Sequence, residues 1–354
     1  MSDFDDAIRR DVHQQLDLLE VPTAGRAASV QGDFQRSRRR RALTLVTTAA
    51  VAVSVVATTL VVTNRHSNHV EEPAGRLRIV RTLSASSLDL AAPQAVAIGP
   101  NGNLYITDSV HQRVTEATPT GKVVRIFGGE GTGPGRFRMA NGEIAVDHQG
   151  RVYVADSGNG RIQVFTSSGQ FIRQMGALGR GAGKFEFPTE LAVAPDGSVY
   201  VGDGSDNGRT TLTKLSPTGL QDWRLGGPNL VGHTHFADLD SHGRLVAANE
   251  DTSRIVYISP QGQEIDTFGH AASRDHRSDF PHGACDTTVD SEDYVYVAGC
   301  APTKTGNLIQ VYDPTHRLVA VWHHSPLISA PRFGPGGFAV AVGSDSILEL
   351  ATDR

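Results

Sequence analysis

From Arg78 onward the chain alternates short apolar stretches with polar turns that usually hold a glycine, and the alternation repeats with a nearly fixed period. The segment PQAVAIGPNGNLYITDSVHQRVTEATPTGKVVRIFGG, starting at Pro93, shows one unit: an apolar stretch, a turn with Gly102, a stretch ending at Asp108, a polar loop, a third stretch, a turn with Gly121, and a fourth stretch closing near Gly128. The turn glycine returns at Gly150, Gly197 and Gly243, at intervals of 48, 47 and 46 residues. Four short strands in a repeat of that length predict one blade of a β-propeller. Asp293 stands at the turn of a fifth unit, and Gly336 and Gly337 supply that of a sixth, which ends one strand short after SILELATDR. RIVRTLS, residues 78–84, reads like KVVRIFG, residues 122–128, and is expected to supply the missing strand. The expected fold is all-β: a six-bladed propeller closed by its own N-terminal strand, so that no sheet edge stays open.

Two local regularities support the repeat. Asn101-Gly102 and Asp196-Gly197 lie between alternating apolar residues and predict type I′ hairpin turns, which need positive φ at both central positions. Asp108 precedes Arg113 by five residues, Asp156 precedes Arg161 by five, and Asn249 precedes Arg254 by five. Because the pair recurs with the architecture, we read it as a brace across the loop between second and third strands rather than as a catalytic row.

Ahead of the propeller the pattern changes. ALTLVTTAAVAVSVVATTLVVT, residues 42–63, carries no charge over 22 residues and directly follows RSRRRR. As a helix it would span about 33 Å, enough for a bilayer core. The arginine excess on its N-terminal side predicts a cytoplasmic tail (1–41), a single transmembrane helix (42–63), a linker (64–75) and an extracytoplasmic propeller (76–354). A cleaved signal peptide would ordinarily have a shorter apolar run, and either reading exports the propeller. Within the tail, Phe4, Ile8, Val12, Leu16 and Leu19 form one helical stripe.

The two cysteines fit an oxidising compartment. Cys285 falls near the start of the first strand of the fifth unit and Cys300 at the end of the second, and a hairpin brings such positions within bridging range, so a Cys285–Cys300 disulfide is expected. The net charge of -5 gives no general basic field, which removes nucleic acid from the partners. Only four of the 33 basic residues are lysines, an arginine bias associated with GC-rich bacterial genomes.

Aligning the units places Glu143, Glu190, Phe236 and Asp286 at one equivalent position, the start of the innermost strand. If that position faces the channel mouth, three carboxylates converge there and suit a cation, calcium included, or a cationic ligand. There is no P-loop, no G-x-S-x-G elbow and no HExxH.

FGGEGTGPGRF at 127–137, EIAVDHQGRVYVADSGNGRIQVFTSSGQFIRQMG at 143–176 and GKFEFPTELAVAPDGSVYVGD at 183–203 resemble NHL-repeat propellers. The resemblance implies a six-bladed disc whose loops at one rim bind protein, peptide or small-molecule partners; it implies no single activity. The layout is also similar to anchored sensor propellers of some bacterial receptor kinases, without a kinase part. A weaker likeness is to the lyase propeller of peptide-amidating enzymes, in which histidines of alternate blades hold zinc. The matching residues here are His235 and His282, which fall in adjacent blades, while Gly142 and Ser329 or Ala330 stand at the other places. The expected function is therefore a membrane-anchored, extracytoplasmic binding or sensing module rather than an enzyme, with Glu143, Glu190, His235, His282 and Asp286 at the channel mouth. The alternative is a metal-dependent lyase or hydrolase at the same mouth.

Overall fold

The structure is a computed structural model. It describes residues 76–354 apart from 139–141, 207–208, 227–233, 270–279, 281–282, 300–306, 325–328, 335–337, 344 and 354. The chain divides into two units, Met1–Val70 and Glu71–Arg354. The tail, the apolar span 42–63 and the linker all lie outside the described residues. Among the described residues no helix is long and apolar enough to cross a membrane.

The second unit is built of four-stranded antiparallel sheets, and there are six of them. The chain opens with β1 (Arg76–Ser84). Blade one follows as β2 (Pro93–Ile98), β3 (Leu104–Asp108), β4 (Arg113–Ala117) and β5 (Val123–Gly128). Blade two is β6 (Ile144–Val146), β7 (Val152–Asp156), β8 (Arg161–Phe165) and β9 (Phe171–Met175); blade three is β10 (Pro188–Val193), β11 (Val199–Asp206), β12 (Arg209–Leu215) and β13 (Gln221–Leu225). Blade four is β14 (Thr234–Leu239), β15 (Leu245–Asn249), β16 (Arg254–Ile258) and β17 (Glu264–Phe268); blade five is β18 (Asp286–Val289), β19 (Val295–Ala298), β20 (Asn307–Tyr312) and β21 (Leu318–His324). The last part of the chain gives only β22 (Arg332–Phe333), β23 (Ala339–Gly343) and β24 (Ser346–Asp353), and β1 completes the sixth blade by pairing antiparallel with β24, from Arg76 opposite Asp353 to Ser84 opposite Ser346. The ring therefore closes as the sequence predicts.

Each interface between adjacent blades has its own apolar core. Tyr105 and Val114 of blade one pack with Ile144 and Val154 of blade two, Tyr153 and Ile162 of blade two with Leu191 and Val201 of blade three, and so on round to Leu348 of blade six, which packs with Ile309 of blade five. This follows from the period-two pattern of strands whose two faces are both covered. A phenylalanine plugs the junction after several outer strands. Phe137 lies under Gly128 and Phe185 under Gly176; both glycines have positive φ, and a Cβ on either would stand 2.6 Å or less from the ring.

The inner hairpins differ in type from the expectation. In blade one Gly99 N–H donates to Asn103 O and Gly102 N–H to Gly99 O, and of the loop residues only Gly102 has positive φ. This is a three-residue loop ending in a left-handed position, not a type I′ turn, because Pro100 and Asn101 carry side chains that the right-handed turn accommodates. Asp293 takes that left-handed place in blade five with φ 63, and its carboxylate accepts from Ser241 N–H and from the Ser241 hydroxyl, each at 2.7 Å. The departure from glycine thus ties blade five to the hairpin of blade four.

The Asp/Arg spacing makes its full brace in blade two; in blade four Asn249 accepts from Thr252 N–H within the loop at 3.1 Å, and Arg254 turns to Glu264 at 3.5 Å. Asp156 is fully buried and accepts from Arg138 N–H at 2.8 Å, Asn159, Arg161 Nε at 2.8 Å and Gln163. Asp108 does the same for Ala91 and Ala92 N–H, and Asp203, also buried, for Glu186 and Phe187 N–H. In each case a carboxylate at the end of the second strand fixes the segment leading into its own blade. In blade one the arginine has moved away: Arg113 bonds Asp89 at 2.8 Å and stands 3.9 Å from Asp108.

Candidate functional site

The first strand of each blade is the innermost. β2 touches β6 and β22, and β10 touches β6 and β14, which in turn touches β18. Side chains leaving these strands toward the axis meet side chains from across the ring. The sequence equivalence of Glu143, Glu190, Phe236 and Asp286 corresponds to a real position, since Glu143 immediately precedes β6, Glu190 lies in β10, and Asp286 begins β18. Phe236 and His235 lie on β14, with their side chains outside the described part, and His282 lies outside the described residues altogether.

The three acids meet a fourth and one base. Two residues further along the innermost strand the blades carry, in order, Ala97, Ala145, Ala192, Asp238, Thr288 and Arg332. Arg332 reaches Asp286 of blade five at 3.5 Å and Glu143 of blade two at 3.8 Å, and its Nη1 donates to Ala330 O at 3.4 Å. Asp286 is held in place by Ala330 N–H, which donates to its other oxygen at 2.9 Å. Glu190 and Asp238 act electrostatically on Arg332 from further off, so carboxyl groups of blades two, three, four and five all bear on one guanidinium of blade six. Sequence reasoning missed Asp238 and Arg332. The signal was there: a charged residue at a place that the first three blades keep as alanine.

The electrostatics follow from one base among four acids in a poorly solvated place. Burial raises the Glu143 carboxyl to about 8; Arg332 opposes this, while Glu190 and Asp286 add to it. Burial likewise raises Asp238 to about 6, against the pull of Leu239 N–H and Arg332. Burial acts to lower Arg332, but Asp286, Glu143, Asp238 and Glu190 together push it above the ordinary arginine value, so it stays charged. The raised value favours the protonated form of Glu143, a hydrogen-bond donor, beside a fixed cation. Thr288, fully buried on the face of β18 that Asp286 shares, has a hydroxyl with no partner among the described residues.

A second group of metal-ligand type sits at the opposite rim, on the inner hairpins. Asp240, His242 and Asp293 bring one ligand atom each within 4.8 Å. Their carboxylates are already engaged: Asp240 accepts from His242 N–H, Arg244 N–H and Arg244 Nε, and Asp293 from Ser241. Cys285, directly before β18, donates its N–H to Ala298 O and is not a free thiol; Cys300 lies outside the described residues.

Comparison with known proteins agrees with the fold. Residues 143–165 match the NHL repeat model, and they span the Glu143 position through β8. No curated protein matches the chain. Among solved structures it is similar to a gluconolactonase of Xanthomonas campestris, with 18% identity, TM-score 0.56 and coverage of 80% of this chain and 91% of that one. A streptogramin B lyase is similar at 13% identity and TM-score 0.53, over 79% of this chain and 98% of that one. The calcium-binding protein regucalcin of Agrobacterium tumefaciens is similar at 10% identity and TM-score 0.52, over 76% and 94%. At these identities the likeness is one of fold.

Proposed function

We propose that the protein is a binding or sensing module: an NHL-type propeller held outside the cell by the apolar span 42–63, which receives its ligand at the channel mouth. The observation that carries this reading is the convergence of Glu143, Glu190, Asp238 and Asp286, from four different blades, on one guanidinium. Four carboxyl groups gathered with one base give the mouth an acidic character that suits an amino group or other organic cation. Glu143, whose carboxyl burial shifts toward the protonated form, adds a donor for a carbonyl or hydroxyl of the same ligand. The rigid disc supplies preorganisation, and the tether would keep it at the membrane surface.

A metal-dependent lyase or hydrolase at the same mouth needs a fixed ligand set. The set suggested by His235 and His282 has no third histidine in the equivalent places, and the axial acids already enclose Arg332. The lyase and gluconolactonase likenesses support a propeller scaffold and carry no activity to this chain at their identities.

The test uses the full-length chain in detergent, titrated by calorimetry with trilysine and with triglutamate. Trilysine is expected to bind, Glu190→Gln to weaken it about tenfold or more, and triglutamate to bind poorly. Equal binding of both peptides, or trilysine binding that Glu190→Gln leaves unchanged, would overturn the channel as a cation-preferring site.

A further inference from the structure

Arg332 stands where the repeat has no place for it. The aligned residues of blades one to three are alanines, so a long charged side chain at this place departs from the repeat. Here β22, only two residues long, sends a side chain that is 15% exposed into the middle of the acids. Its contacts with Asp286, Glu143 and Ala330 are 3.5, 3.8 and 3.4 Å, longer than the charge-assisted bonds that Arg161 and Arg151 make to Asp156 and Asp147 at 2.8 and 2.6 Å. A guanidinium shared at that spacing between the carboxyl groups of Asp286 and Glu143, from two different blades, rather than paired closely to one, occupies the position of a shared cation.

We propose that Arg332 is the specificity-determining residue of the channel: it is a built-in counter-ion that fills the cation position among Glu143, Glu190, Asp238 and Asp286 and closes that position to divalent metal. This rests on the channel mouth being the ligand site, and it narrows what that site accepts. A hard divalent cation needs six or more oxygen ligands at 2.3–2.6 Å, roughly, in the calcium case. The carboxyl groups present could contribute to such a shell, but a fixed positive charge a few ångströms away repels the ion and holds two of its ligands. An organic ligand is not excluded in the same way. It can place an amino group against Glu190 and Asp238 while a hydroxyl or carboxylate meets Arg332, so a ligand with both kinds of group fits better than either a bare metal or a simple amine.

The proposal is tested on the full-length chain in detergent by titration with calcium and, separately, by manganese spin resonance. Wild-type protein is expected to show no ion that depends on Glu143 or Glu190. Arg332→Gln removes the charge and keeps polar bulk, and it is expected to create one divalent-ion site about 100-fold tighter than any in the wild type. Arg332→Lys keeps the charge and is expected to stay closed. The site in Arg332→Gln should vanish when Glu190→Gln is added. A wild-type ion lost in Glu143→Gln or Glu190→Gln would overturn the proposal without reference to any variant of Arg332, as would an Arg332→Gln protein that melts cooperatively and binds no metal. Failure of trilysine to bind, with the metal results as expected, would instead fault the cationic-ligand reading and leave the role of Arg332 intact.

Discussion

Replacing Glu143 by glutamine should change how the stability of the propeller depends on pH more than it changes the stability itself. In the folded chain the carboxyl is raised from 4.5 to about 8, chiefly by burial. Between those values the folded protein holds a proton that the unfolded chain has released. The stabilisation is therefore complete below about pH 4.5 and is lost as pH rises toward 8. At about 1.4 kcal/mol per pH unit, the interval from 4.5 to about 8 corresponds to at most about 5 kcal/mol. The amide introduced by Glu143→Gln cannot ionise, so this slope should disappear from the variant, while Asp238, which titrates the same way, contributes equally to both proteins. The assay is urea unfolding of both proteins at about pH 5.5, 7 and 8.5, followed by the fluorescence of Trp223 and Trp322, with the slope m held as a check on two-state behaviour. The wild type should lose several kcal/mol relative to Glu143→Gln across that range. Stability curves that run parallel would mean that Glu143 is solvated or fully neutralised in the fold, and the account of a crowded acid ring would fail with it.

Two further outcomes are expected. Asp156→Ala removes a fully buried carboxylate and leaves the Arg161 guanidinium, itself 7% exposed, without its counter-charge although it keeps Gln174, Gly133 O and Arg136 O, so it should cost about 3 kcal/mol in urea unfolding, with Asp156→Asn costing less. If Cys285 is paired with Cys300, the intact protein should resist alkylation without reductant and take up two alkyl groups after reduction; reaction of both thiols before reduction would sink the pairing and the oxidising compartment argued from it.

The fold was legible because its signals are periodic. The turn glycines count the blades, and the likeness between residues 78–84 and 122–128 announces the closing strand, because both must pair at the outside of a blade. The hairpin type was misread: Asn101-Gly102 satisfies the requirement of more than one turn, and the choice is made by the register of β2 against β3, which brings Gly99 opposite Asn103. The site was half legible. Glu143, Glu190 and Asp286 share a repeat position, so aligning the blades finds them. Asp238 and Arg332 occupy a different position, two residues on, and they act on the others only because the ring gathers the innermost strands of different blades about one axis.

Ring closure also bears on why the repeat breaks where it does. Blades one to three keep the repeat closely and contribute alanine at the second axial position, whereas blades four to six depart from it and contribute aspartate, threonine and arginine there. A uniform ring of alanines and acids would gather like charges without a counter-ion, which is unfavourable in a poorly solvated channel. The counter-ion must come from one blade alone, since a second arginine would neutralise the acids that remain for a ligand. Blade six is suited to the task for a mechanical reason. Its innermost strand is the shortest in the ring, so it tolerates a long side chain that turns to the axis, and its outer strands are secured by β1 through a register running the length of β24. The irregular blade is the one that closes the ring and also the one that sets the charge at its centre, as expected where local rules yield to function.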